Sequence, residues 1–181
     1  MRHAGADSGH RCPHGLLGGA AIAGQPACAI VARGLALSPE GWRLFVRQTV
    51  EQNLLLGATV LKDRSHIPHL LDRAGTLSGG KRQMLATGRA LISDPRLLMP
   101  DEPTLGLAPA VVESRYETLR CLRGQGLALL LAEQAVELAL EGADHGYVPR
   151  TGGTVLEAPA SELAQDADLQ RIHLGLETPA G

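Results

Sequence analysis

Leu77-Ser78-Gly79-Gly80-Lys81-Arg82-Gln83 and, further along, Leu97-Leu98-Met99-Pro100-Asp101-Glu102-Pro103 are the two runs from which the fold can be read. In the first, Ser78 is placed to cap a helix whose first turn contains Gly79 and Gly80, so a hydroxyl and backbone N–H groups point at one spot suited to a phosphate. The second is an apolar, strand-like run that ends in two adjacent carboxylates. At the C-terminal tip of a buried strand, Asp101 is placed to hold a hydrated Mg²⁺ and Glu102 to orient an attacking water. A solvated charge pair at a strand end is the plainer reading of the same two residues. Together the runs read as half of an ATP site.

The other half would be a phosphate-cradling loop, Gly-x-x-x-x-Gly-Lys-Ser/Thr, between a strand and a helix. No such run lies in these 181 residues. The nearest imitation, Gly75-Thr76-Leu77-Ser78-Gly79-Gly80-Lys81-Arg82, puts Arg82 where a Mg²⁺-ligating hydroxyl belongs and follows Asp72-Arg73-Ala74 rather than an apolar strand. A helix begun by Ser78 accounts for these residues and for Asp101 and Glu102 as well.

Composition narrows the classes. A content of 44% hydrophobic and 20% charged residues is that of a globular domain with a core. Seventeen basic against nineteen acidic residues leave a formal charge of −2, so no global field recruits nucleic acid or an anionic membrane. Cys12, Cys28 and Cys121 are irregularly spaced, which argues for reduced thiols in a cytoplasmic protein. His10, Cys12 and His14 lack a fourth ligand in reach and sit in a Gly-rich tail, which weighs against a metal site. The longest apolar run, 127–132, is of strand length, well short of the roughly 18 residues a membrane span requires. Aromatic residues make up only 2%, so Leu, Val, Ile and Ala must build the core.

Patterning organises the rest. Residues 1–25 are Gly- and Ala-rich with little periodicity, and order is expected to begin near Ala29. A short strand is predicted over 34–38, broken by Pro39-Glu40-Gly41, and Thr49-Val50-Glu51-Gln52 resembles a capping box opening a helix through Leu56. After a polar connector over 57–74, Met84, Leu85, Ala90 and Leu91 form a buried helical stripe that ends at Asp94-Pro95. Helix over 110–123, buried strand over 127–132 and helix over 135–141 alternate as in a parallel sheet. A hairpin over 145–157 follows, then helical patterns through Leu174. Pro100 and Pro149 each remove a ladder donor, at about 1 kcal/mol or more if a buried acceptor is left unpaired.

In this order the motifs resemble ABC-type ATPases, and among them the ATP-binding subunit of a bacterial branched-chain amino acid importer. The resemblance runs from about Gly24 to Gly175 and is carried further by Ala36-Leu37-Ser38-Pro39-Glu40-Gly41, by 47–54, by Gly106-Leu107-Ala108-Pro109, by 129–134, by 143–148 and by Ile172-His173-Leu174-Gly175. It implies an α/β, incomplete P-loop NTPase domain with a mostly parallel sheet and a shortened helical subdomain. Residues 1–25 would be a flexible segment and 26–181 the partial domain, divided into 57–93 with the signature helix, 94–150 with the carboxylate strand and 151–181 as a C-terminal segment.

The resemblance also implies roles. Glu102 and Gln134 would be catalytic, Gln134 at a switch position that usually holds histidine; its amide still donates a hydrogen bond to a γ-phosphate, and a helix cap is the alternative. Asp101 would hold Mg²⁺ through water, and Glu40 would take the place of a glutamine that touches Mg²⁺ and senses the membrane subunit, or else serve as a turn residue. Leu77, Ser78, Gly79, Gly80, Lys81 and Gln83 would face the ATP of a partner chain, with Lys81 and Arg82 directed at phosphate or at water. Thr104, Leu105, Gly106 and Leu107 would cross the dimer interface. ATP and Mg²⁺ are the implied cofactors. Transmembrane permease subunits, a second ATPase subunit and, indirectly, a periplasmic or extracellular substrate-binding protein are the implied partners, with no nucleic acid. The implied location is the inner face of the cell membrane.

The missing loop sets the functional expectation. Its charge-assisted bonds are worth roughly 1.5–3 kcal/mol each, so losing the set removes about 5 kcal/mol and over a thousandfold in affinity. The expectation is therefore a subunit coupling ATP to amino acid import, incomplete here and weak or inactive alone. A non-catalytic partner lending its signature in trans and a decayed fragment are the alternatives. The loop-bearing strand is also absent, which leaves sheet edges open.

Overall fold

The structure, a computed structural model, describes residues 15–41, 43–61, 65, 67–68, 81–150, 153–166 and 169 of the chain. It comprises two compact units, Met1–Ala132 and Glu133–Gly181. His10, Cys12 and His14 lie outside the described residues.

Order begins earlier than Ala29. Strands β1 (Leu16–Leu17) and β2 (Ala20–Ala21) form an antiparallel hairpin closed by Gly18 at φ 57° and Gly19 at φ 78°. A Gly-Gly pair reaches the positive φ values of a two-residue turn without steric cost, which is what the lack of periodicity concealed. Helix α1 (Ala27–Val31) leads into β3 (Leu35–Ser38), the strand anticipated before Pro39.

The first unit is built on a three-stranded parallel sheet ordered β3-β4-β5, with β4 (Leu97–Pro100) central and β5 (Ala128–Leu129) at the edge. Ala36, Ala90, Leu91, Leu98, Leu122 and Leu127 form its core with Leu129 against them. Helix α2 (Val50–Gly57) opens with the expected capping box: Thr49 Oγ1 accepts from the Gln52 N–H, and the Gln52 side chain accepts from the Thr49 N–H. Its last residue meets helix α3 (Lys81–Leu91) closely, since a Cβ on Gly57 would lie 2.0 Å from the Arg89 carbonyl oxygen. Ala90 and Leu91 are buried on α3 as anticipated, whereas Met84 and Leu85 are half-buried and Ala86 and Thr87 fill the stripe. Helix α4 spans Pro109–Gly124, with proline at its first turn where its missing N–H is harmless.

The expected buried strand over 127–132 is corrected. Only two residues pair as β5, Ala132 adds an isolated bridge to Asp101, and Leu130 is 47% exposed. A strand with one neighbour has only one protected side, whatever its hydrophobicity. Pro100 is fully buried at the end of central β4, and its nitrogen leaves without a donor the Leu130 carbonyl at which the parallel register would direct it.

The second unit holds α5 (Val136–Glu141), the anticipated antiparallel hairpin of β6 (His145–Arg150) and β7 (Gly153–Pro159), and α6 (Ala160–Leu163). Pro149 falls at a register shift between Val148 and Pro149, the kind of irregularity where a missing donor is tolerated. Ile172 to Gly175 lie outside the described residues.

Candidate functional site

Parallel strands deliver their C-terminal ends to one side of a sheet, which is where open α/β sheets place ligands. Ser38 pairs with Pro100, so Pro39-Glu40-Gly41 and Asp101-Glu102-Pro103 leave from adjacent strand ends. The two expected Mg²⁺-associated carboxylates, Asp101 and Glu40, thus share that end of the sheet. Asp101 donates its N–H to the Ser38 carbonyl at 3.0 Å. Glu102 donates its own to the Ala132 carbonyl at 2.9 Å, and Ala132 donates to the Pro100 carbonyl at 3.1 Å. Both carboxylate residues are half-buried.

Glu102 adopts φ 42°, a left-handed conformation that a side chain bearing Cβ seldom takes. The turn that follows is anchored by buried Pro103 and Thr104, closed by Leu107 N–H to the Thr104 carbonyl at 3.1 Å, and tipped by Leu105 and by Gly106 at φ 71°. The expected interface loop is therefore a firm-based turn with an exposed apolar tip.

Glu40 is exposed in a turn completed by Gly41 at φ 68°. The chain beyond it is clamped. Buried Asn53 accepts from the Phe45 N–H and donates to the carbonyls of Phe45, Gln48 and Thr49, while Arg89 donates to the Arg43 carbonyl at 2.8 Å and stands 5.9 Å from the Phe45 ring centroid. The result is a rigid loop presenting Phe45, 55% exposed, and Val46, 93% exposed. Asn53 and Arg89 were not singled out from sequence; only the positions of Asn53 inside a helix and Arg89 near the end of another marked them.

Beneath the site runs a buried polar chain. Ser38 Oγ lies 3.5 Å from Thr87 Oγ1, and Arg115 Nη2 donates to that same hydroxyl from α4. Arg115 Nε and Nη1 are buried without a partner, and burial lowers its pKa to about 10. Arg115 falls at helical spacing between Val111 and Leu119, a signal that sequence reading passed over.

Leu77, Ser78, Gly79 and Gly80 lie outside the described residues; Lys81 and Gln83 occupy the first turn of α3. Gln134 belongs to the second unit and is exposed; its N–H donates to its neighbour Glu133 Oε1 at 3.1 Å. Helix α5 starts after Ala135 with no side-chain cap, so Gln134 is not the cap that the plainer reading made it.

The donor set fits Mg²⁺ better than a softer metal, since both candidate ligands offer carboxylate oxygens. No group of three His, Cys, Asp or Glu residues gathers among the described residues. A groove of about 710 Å³ bordered by Gly34 and Arg96 opens at the other end of the strands, away from every expected site residue.

A family model described as ABC transporter matches residues 23–105. The high-affinity branched-chain amino acid transport ATP-binding protein BraG of Pseudomonas aeruginosa is 39% identical over 171 residues, covering 87% of this chain and 73% of that protein. A probable branched-chain amino acid transport ATP-binding protein, LivF, of Archaeoglobus fulgidus is 35% identical, covering 89% and 75%. The lipopolysaccharide export ATP-binding protein LptB of Escherichia coli is 30% identical, covering 83% and 69%. Among solved structures, the ADP conformation of the ATP-binding cassette MJ1267 superposes with a TM-score of 0.67 at 21% identity, covering 86% of this chain and 74% of that one. At that identity the likeness speaks for the fold alone.

Proposed function

Because the chain belongs to the family of ABC transporter ATP-binding subunits, we propose that it serves an importer of branched-chain or other hydrophobic amino acids, with the phosphate loop supplied from outside these 181 residues. The observation that carries this reading is the Ser38–Pro100 register, which sets Glu40 beside Asp101 and Glu102 at one end of the sheet. The two branched-chain relatives are more similar to the chain than the export protein at 30%, which favours the amino acid branch.

In this role Asp101, through water, and Glu40 would hold Mg²⁺, which would supply charge neutralisation to the bound phosphates. Glu102 orients and accepts a proton from the attacking water, while Gln134 donates from its amide toward the γ-phosphate. Ser78, Gly79 and Gly80, with Leu77, Lys81 and Gln83 around them, serve the nucleotide of a second ATPase subunit, and the 104–107 turn crosses between the subunits. Exposed Phe45 and Val46 offer the permease an apolar foothold on a clamped loop. That arrangement places the subunit at the cytoplasmic face of the membrane; no helix among the described residues is long and apolar enough to cross it.

Two versions of this role separate cleanly. If the signature is lent in trans, adding the chain to an intact branched-chain-type ATPase raises ATP turnover, Ser78→Arg removes the gain, and Glu102→Gln leaves it. If the loop belongs upstream in the same polypeptide, the genomic reading frame before Met1 encodes Gly-x-x-x-x-Gly-Lys-Ser/Thr, and Glu102→Gln in the extended protein abolishes turnover. Failure of both, with no turnover gain and a stop codon upstream, would leave the chain without this role.

A further inference from the structure

Three elements of the first unit meet at one hydroxyl. Thr87 of α3 accepts from Arg115 Nη2 of α4 and lies 3.5 Å from Ser38 Oγ at the end of β3. Each of the three residues is buried, so bulk water offers none of them a substitute partner. Between two hydroxyls alone, either oxygen can be the donor. A guanidinium only donates, so Thr87 must accept from it, and a hydroxyl whose oxygen already accepts is the better donor in turn. Arg115 therefore turns the Thr87 proton toward Ser38. Without the cation that proton is free to swing back to the carbonyl one turn earlier in α3. Ser38 carries the contact into the site: its carbonyl accepts from the Asp101 N–H at 3.0 Å, and Pro39-Glu40 follows it in the chain. At its other end α3 begins with Lys81, directly after Gly80.

We propose that Arg115 is a positioning residue for the carboxylate site: through Thr87 it locks α3 to the end of β3, so that the helix following the signature residues and the strand end bonded to Asp101 move as one body. The apolar contacts of the core are non-directional and permit α3 more than one setting on the sheet. A hydrogen-bond chain passing through a single hydroxyl permits one. That specificity is what an enclosed cation offers in exchange for the stability it forfeits. The lock rests on the transport reading only for what the strand end serves, since it forms without nucleotide or partner.

Hydrogen exchange of the full chain without nucleotide, followed in rising urea at the amides of Asp101 and of Leu91 in α3, tests this. In the wild type the two amides open in one event with a common urea dependence. In Arg115→Met the thermal midpoint does not fall, yet Asp101 exchanges about tenfold faster, through a smaller opening that Leu91 does not share. Faster local exchange in a fold no less stable is a result that a merely structural role does not produce. Thr87→Val removes the hydroxyl, keeps the shape and parts the two amides in the same way; combining it with Arg115→Met adds nothing further. Arg115→Lys keeps a donor for Thr87 and holds the amides together. Separate opening in the wild type, a shared opening that persists in Arg115→Met, or Arg115→Lys behaving as Arg115→Met would each overturn the proposal. Failure of the transport role, read from ATP turnover, leaves every one of these outcomes unchanged.

Discussion

Arg115 is a cation enclosed with a single hydrogen-bond partner, and such a group costs more than it contributes unless another charge meets it. Arg115→Met keeps volume and removes the charge, while Thr87 keeps Ser38 beside its hydroxyl. The expected outcome is a gain on the order of 1–4 kcal/mol, seen as a higher midpoint in thermal or urea unfolding. The pH dependence has a defined sign. Burial lowers the pKa from the ordinary guanidinium value to about 10. Below that value both folded and unfolded chains carry the proton and the whole penalty is present; above it the unfolded chain binds more protons, so stability rises with pH. The advantage of Arg115→Met therefore shrinks above pH 10. At Glu102, φ 42° is a conformation glycine adopts more cheaply, so Glu102→Gly should relieve backbone strain of about 1 kcal/mol, read as the change in urea-unfolding midpoint. Asp101 and Glu102 were legible as strand-end carboxylates because an apolar run led straight into them. The left-handed backbone of Glu102 and the burial of Arg115 were not, since both depend on neighbours distant in sequence.

Two glycines separate a hard contact from a soft one at the level of elements. Gly57→Ala drives a methyl into the Arg89 carbonyl, 2.0 Å away, and two helices must part to admit it. A loss of about 1–3 kcal/mol in urea unfolding is expected. Gly146→Ala meets the tip of Leu163, where Cδ1 lies 2.4 Å away, and a rotamer change relieves it for about 1 kcal/mol or less. Asn53→Ala frees the 43–49 loop from α2, and faster amide exchange at Phe45, which now donates to Asn53 Oδ1, would report it. The capping box at Thr49 and the 145–157 hairpin were readable because their signals are local. The short reach of β5 was not, because hydrophobicity records a wish to be buried and not the number of neighbouring strands.

Across the whole molecule, the buried apolar residues are unevenly shared. Those described in the second unit are Ala160, Leu163 and Leu169, whereas the first has a connected core around Leu98 and Leu122. Amide exchange in rising urea should open 133–166 before 97–129, and a single transition common to both would contradict this. The α/β class and the parallel sheet were visible in the alternation of patterns; the division after Ala132 was not, since no change of composition marks it. That division gives Ala132 a mechanical character. As the last residue of the first unit, it accepts from Glu102 and donates to Pro100, so tension pulling on the chain from Glu133 onward bears on those two hydrogen bonds. Traction on the C-terminal unit is thereby delivered to the backbone on either side of Asp101.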